Sequence, residues 1–128
     1  MRYTILGRTG LHVSVAGLGC GGASRLGLSY NRTDGEAIAL VRQALDLGVN
    51  LLDTAESYGT ERIVGKAIRD IRRDLIVLST KTTLPPVHHP HADKEVQRAL
   101  EQSLRHLQTD YVDIYHLHAV KPQDYSYA

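Results

Sequence analysis

Apolar and polar residues alternate at the start of the chain. Residues 2–6 and 12–15 are short alternating runs on either side of Gly7-Arg-Thr-Gly10, a pattern that predicts a β-hairpin. The period then lengthens. Residues 34–47 place Ile38, Val41, Ala44 and Leu45 at the three-and-four spacing of an amphipathic helix, with Thr33 suited to cap it and Gly48 to stop it. A short strand over 49–53 follows. Ile63, Val64, Ala67, Ile68 and Ile71 repeat the helical spacing, and residues 75–80 form a run of the kind buried on both faces of a parallel sheet. Asp93 is placed to cap a third helix with a buried stripe of Val96, Leu100, Leu104 and Leu107, and residues 111–117 read as a further strand.

With residues 15–19 as the first strand, strands and helices alternate strictly after the hairpin. Such alternation implies right-handed βαβ crossovers and a parallel α/β sheet with helices outside it. Two architectures satisfy this: a doubly wound sheet and part of a (β/α)₈ TIM-type barrel. No low-complexity stretch or linker divides the chain, so residues 1–128 are expected to form part of one domain.

Composition narrows the function classes. The 42% hydrophobic and 23% charged content excludes wholesale disorder, and the absence of Trp and Phe makes the core rest on Leu, Ile and Val. Fifteen Lys and Arg against 14 Asp and Glu, a formal charge of +1, provide no electrostatic case for a nucleic-acid or membrane-surface partner. The apolar runs fall far short of the roughly 18 residues of a membrane span, and the amino-terminal stretch lacks the apolar region of a signal peptide. One Cys forms no intramolecular disulfide. The expected setting is the reducing cytoplasm.

In parallel α/β folds the chemistry gathers at the carboxyl ends of the strands, where the loops converge. Here Cys20 follows strand one, Asp53 ends strand two with Tyr58 in the loop beyond it, Lys81 follows strand three and His118 follows strand four. Taken singly, each reads as a capping, packed or solvated side chain. Together they are the parts of a phenol acid. A phenol with its usual pKa of about 10 donates a proton poorly at neutral pH, and an adjacent ammonium lowers that value. Lys81 would supply the ammonium, Asp53 would keep it charged and aimed, and His118 would orient a carbonyl or relay a proton.

The stretches Leu6-Gly-Arg-Thr-Gly-Leu11, Val13-Ser-Val-Ala-Gly-Leu-Gly19, Gly48-Val-Asn-Leu-Leu-Asp-Thr-Ala-Glu-Ser-Tyr-Gly59, Ser79-Thr-Lys81 and Asp110-Tyr-Val-Asp-Ile-Tyr-His-Leu-His118 resemble, in order and spacing, the aldo-keto reductase family. The resemblance implies a (β/α)₈ barrel that reduces an aldehyde or ketone with hydride from NADP(H), or alternatively NAD(H), without a metal. Tyr58 would be its general acid, Lys81 and Asp53 the supporting pair, and His118 the carbonyl-orienting group. His116 is expected on the other side of the strand. The loop after strand one, mapping to Gly19, Cys20 and Gly21, would touch the cofactor together with Asp53. The family often carries a hydroxyl or bulky residue at the position of Cys20, which otherwise reads as a small buried residue.

A barrel takes about 250 residues, so the resemblance corresponds to an N-terminal hairpin plus about four βα units, a half-barrel. The segments that in this family hold the nicotinamide amide, pyrophosphate and adenosine 2′-phosphate lie later. Open sheet edges predict pairing with a second copy or marginal stability. The alternative to an enzyme is a non-catalytic regulatory or binding subunit of the same fold.

Two further signals are set aside. Gly17-Leu-Gly-Cys-Gly-Gly22 matches a dinucleotide fingerprint, yet the next helix begins about eleven residues after Gly22 instead of at the glycines, and Asp53 lies too far on. His88-His-Pro-His91 lacks the second ligand cluster of a structural zinc site and reads as an exposed loop bordering the substrate opening.

Overall fold

A computed structural model of the protein describes residues 1–85 and 90–121. The chain opens with an antiparallel hairpin of β1 (Tyr3–Ile5) and β2 (His12–Ser14), in which Ile5 faces His12. Its turn uses Gly7 and Gly10 at φ of 54° and 77°, backbone that side-chain-bearing residues rarely adopt. A parallel sheet follows, with β3 (Leu18–Gly19), β4 (Leu51–Asp53), β5 (Val77–Thr83) and β6 (Ile114–His118) adjacent in sequence order. The connections carry α1 (Asp34–Asp46), α2 (Glu61–Ile68) and α3 (Ala92–Leu107), with α2 packed between the other two.

That order separates the two architectures left open by the sequence. A doubly wound sheet reverses its strand order and is covered on both faces. Here the strands run 1-2-3-4 and the helices share one face, as in the wall of a barrel. The core lies between that face and the helices, where Cys20, Leu52 and Leu78 meet Ala37, Val41, Val64, Ala67 and Leu107. Side chains at alternate positions point to the opposite, inner face.

The helix signals hold with small adjustments. Thr33 and Glu36 form a reciprocal capping box at α1, with the Thr33 N–H donating to Glu36 Oε2 at 2.8 Å and the Glu36 N–H to Thr33 Oγ1 at 3.2 Å. Helix α2 ends at Ile68, and Ile71 packs on the core from the turn beyond. At α3 the capping position is His91, so Asp93 lies in the first turn instead. Its buried side is centred on Ser103 and Leu107, with Val96, Leu100 and Leu104 half-buried.

Strand limits differ more. Val15 belongs to the hairpin, because its N–H donates to Arg2 O at 3.0 Å, and this leaves only Leu18 and Gly19 in β3. Residues 73–75 form a 3₁₀ turn, so β5 begins at Val77 and runs on to Thr83. The start of β6 is held by Arg73, which donates to Asp113 Oδ2 at 2.7 Å and to the Ile76 and Tyr111 carbonyls, while Asp113 also accepts the Leu78 N–H at 2.8 Å. Asn50 ties the hairpin to the amino end of β4, accepting from Ser14 N at 2.7 Å and donating to His12 O at 2.9 Å. The hairpin therefore sits at the end of the sheet away from the strand carboxyl ends. Among the described residues no helix is long and apolar enough to cross a membrane.

Candidate active site

The parallel register places the strand-end residues. Gly19 pairs with Asp53, Asp53 with Ser79, Lys81 with His116, and Thr83 with His118. Because the side-chain period of a strand is two, Asp53, Ser79, Lys81, His116 and His118 all point to the inner face. Thr80 and Thr82 point the other way, donating to Glu61 and Glu56 respectively at 2.8 and 2.7 Å. This corrects the expectation for His116, which shares the face of His118 and Lys81 because it lies two positions from His118. It also moves Lys81 from a loop to the interior of β5, where it pairs with His116 of β6.

Asp53 and Lys81 form the centre. Lys81 Nζ donates to Asp53 Oδ2 at 2.7 Å and to Thr54 O at 2.9 Å, while Asp53 Oδ1 accepts from Ser79 Oγ at 2.8 Å. The Lys81 side chain is 16% exposed and that of Asp53 40%. The ammonium is thus the more desolvated partner, and one carboxylate and one carbonyl satisfy two of its three donors.

Tyr58 arrives on the loop that follows β4. Residues Glu56–Tyr58 make a 3₁₀ turn that ends at Gly59, with φ of 67°. The base of the loop is closed by the buried Thr54 and Thr60 hydroxyls, 3.0 Å apart. Its outer side is held by Arg25, whose Nε donates to Tyr58 O at 2.7 Å. The ring lies against the backbone of Gly21, where a Cβ would come within 2.4 Å of it. Only glycine allows that approach. Lys81 Nζ stands 5.1 Å from the centre of the ring. His118 meets Tyr58 edge-on, with centroids 5.5 Å apart and planes at 88°, and its Nδ1 lies 3.3 Å from Ser57 Oγ.

Tyr58, Lys81, Asp53 and His118 are therefore contiguous. The strand-one loop divides differently. Cys20 is fully buried on the helix side, so its side chain is turned away from the inner face and only its backbone borders the site. Burial, reinforced by the Asp53 carboxylate and partly opposed by Lys81, pushes the thiol up to about 12. Gly19 has open space where a Cβ would stand. A bare backbone strip beside Asp53 thus remains, of the sort that a flat ring or a phosphate approaches closely. Ser57, Ser79, Thr54 and Arg25 escaped the sequence reading. The period-two rule applied to Ser79-Thr-Lys81 identifies Ser79, whereas the contacts of Arg25 cross loops and carry no local signal.

The described residues contain no group of three or more His, Cys, Asp or Glu side chains arranged to hold a metal. Pro86, Val87, His88 and His89, and with them most of the histidine cluster, lie outside the described residues.

The Aldo/keto reductase family model matches residues 18–127, a stretch that contains every one of these groups. The chain belongs to the aldo-keto reductase family. It is 40% identical over 131 residues to the aldo-keto reductase YhdN of Bacillus subtilis, spanning 95% of this chain and 39% of that protein. The holo form of the aldo-keto reductase AKR11C1 from Bacillus halodurans superposes with a TM-score of 0.79 at 35% identity, covering 97% of this chain and 42% of that one. An aldo-keto reductase from Klebsiella pneumoniae, solved in complex with NADPH, matches with a TM-score of 0.68 at 38% identity over 85% of this chain and 36% of that one. The chain thus spans about 40% of the length of the relative YhdN. Four sequential strands with helices on one face are part of the family's barrel wall.

Proposed function

We propose that this protein acts in the reduction of an aldehyde or ketone by NADP(H), with Tyr58 as the general acid. The observation that carries the reading is Lys81 Nζ, held between the Asp53 carboxylate at 2.7 Å and the face of the Tyr58 ring. The backbone of Gly19 and Gly21 and the exposed part of Asp53 would border the cofactor, and NADP(H) is favoured because the Klebsiella relative was solved with NADPH. When bound, the nicotinamide would supply a hydride to the carbonyl carbon.

The remaining work falls to the side chains. His118 holds the carbonyl oxygen by hydrogen bonding and directs it toward Tyr58. Tyr58 releases its phenolic proton to that oxygen as negative charge gathers there, so that an alcohol forms. The ammonium of Lys81 offsets the charge left on the phenolic oxygen, and Asp53 keeps that ammonium in place. A proton from water then restores the phenol. In the alcohol-oxidising direction the same groups act in reverse. A single, fully buried Cys20 fits the cytoplasmic setting.

The test is NADPH consumption with simple aldehydes and ketones. Tyr58→Phe and Lys81→Met should each lower kcat at least about a hundredfold, the scale of one lost acid–base contribution. Undiminished turnover in both variants defeats the assignment, and cofactor binding without turnover in the unaltered protein is the result expected of a regulatory subunit.

A further inference from the structure

We propose that Ser57 is a positioning residue that sets the tautomer of His118; this rests on the carbonyl-reducing role assigned to the site. The neutral imidazole carries one proton, so the group facing one ring nitrogen decides what the other can do. Ser57 Oγ lies 3.3 Å from His118 Nδ1, and among the described residues it is the group that meets that nitrogen.

The contact admits either direction, and the carbonyl-orienting role of His118 requires the one in which Ser57 donates. An O–H directed at Nδ1 makes that nitrogen an acceptor and places the ring proton on Nε2, which has no hydrogen-bond partner among the described residues. Nε2–H is then the donor available to a carbonyl oxygen. The opposite arrangement, Nδ1–H donating to Oγ, leaves a lone pair at Nε2 that repels such an oxygen. Orientation of the ring is set independently by the edge-on contact with Tyr58 at 5.5 Å. Ser57 itself is held because Glu56 accepts from Thr82 at 2.7 Å, the Tyr58 N–H donates to Ala55 O at 3.1 Å and the Gly59 N–H donates to Glu56 O at 3.2 Å. One 3₁₀ turn thereby carries the acid and, at the adjacent position, the group that prepares its partner.

The experiment is long-range proton–nitrogen NMR on the ¹⁵N-histidine-labelled chain at mildly alkaline pH, with the His118 signals assigned by their loss in His118→Gln. Expected are an Nε2-protonated His118 in the unaltered chain and in Ser57→Thr, and a several-fold shift toward the Nδ1-protonated form in Ser57→Ala. Ser57 is exposed, so these variants leave the core intact. An Nδ1-protonated ring in the unaltered chain, or the same tautomer ratio in Ser57→Ala, overturns the proposal. In turnover, Ser57→Ala should lower kcat about two- to tenfold, the worth of one exposed hydrogen bond, with KM for NADPH unchanged and Ser57→Thr restoring the rate. An unchanged kcat also overturns it. The two readings fail separately: full activity in Tyr58→Phe defeats the reductase assignment, whereas the tautomer measurement judges Ser57 without any turnover.

Discussion

Asp53 and Lys81 stand at the centre of the site, and removing either one should have unequal effects on stability and equal effects on chemistry. At their 2.7 Å separation, Coulomb attraction spans about 1.5 kcal/mol in bulk water to about 6 kcal/mol at an effective dielectric of about 20. Desolvation of the two charges offsets much of the upper figure, so a double-mutant cycle should return a coupling of about 1–2 kcal/mol. The single changes differ because the partners are not equally buried. Asp53→Asn strands an ammonium that is 16% exposed, and Lys81→Met strands a carboxylate that is 40% exposed and still accepts from Ser79. Asp53→Asn should therefore cost about 2–3 kcal/mol and Lys81→Met about 1 kcal/mol, since a stranded charge costs more the less water reaches it. Urea unfolding followed by circular dichroism gives both values, and carbonyl reduction should fall strongly in each variant. A larger stability loss in Lys81→Met, or a coupling indistinguishable from zero, would refute the account of which charge is the buried one.

Three further outcomes follow from the packing. Gly65→Ala should lower stability by about 1–2 kcal/mol despite a helix-propensity gain of about 1 kcal/mol, because the new Cβ would lie 2.6–2.7 Å from the His106 and Leu107 backbone and overpacking costs more than the gain; a raised urea midpoint contradicts the α2–α3 contact. Cys20 should resist alkylation in the folded chain and react on unfolding. Its thiol is raised from about 9 to about 12, so the unfolded chain ionises first on raising the pH; the stability it contributes is complete below about 9 and is lost as pH climbs toward 12, which a chemical-denaturation series across that range measures. The outer edges of β3 and β6 have no strand partner among the described residues, so the isolated chain should self-associate through them, and a sharp two-state melt from a strict monomer on a sizing column counts against that.

The linear sequence determined the order of elements and picked out the residues proposed for the chemistry, because both can be read from local pattern. Three-and-four spacing marks each helix through the residues that must face the core, and Asp53, Tyr58, Lys81 and His118 stand out as polar groups where strands end. Strand limits were only partly legible. A strand exists through partners contributed from elsewhere: Val15 is drawn into the hairpin by Arg2, and Thr83 is kept in β5 by pairing with His118. Tertiary structure alone decided that Cys20 packs with Ala37, Val41 and Val64, that the Tyr58 ring rests on Gly21 and that Arg25 holds its carbonyl. Those contacts join residues far apart in the chain, at distances set by how the sheet curves and how its loops meet. A linear pattern of polar and apolar positions encodes which face a residue takes, but not which neighbour it finds there.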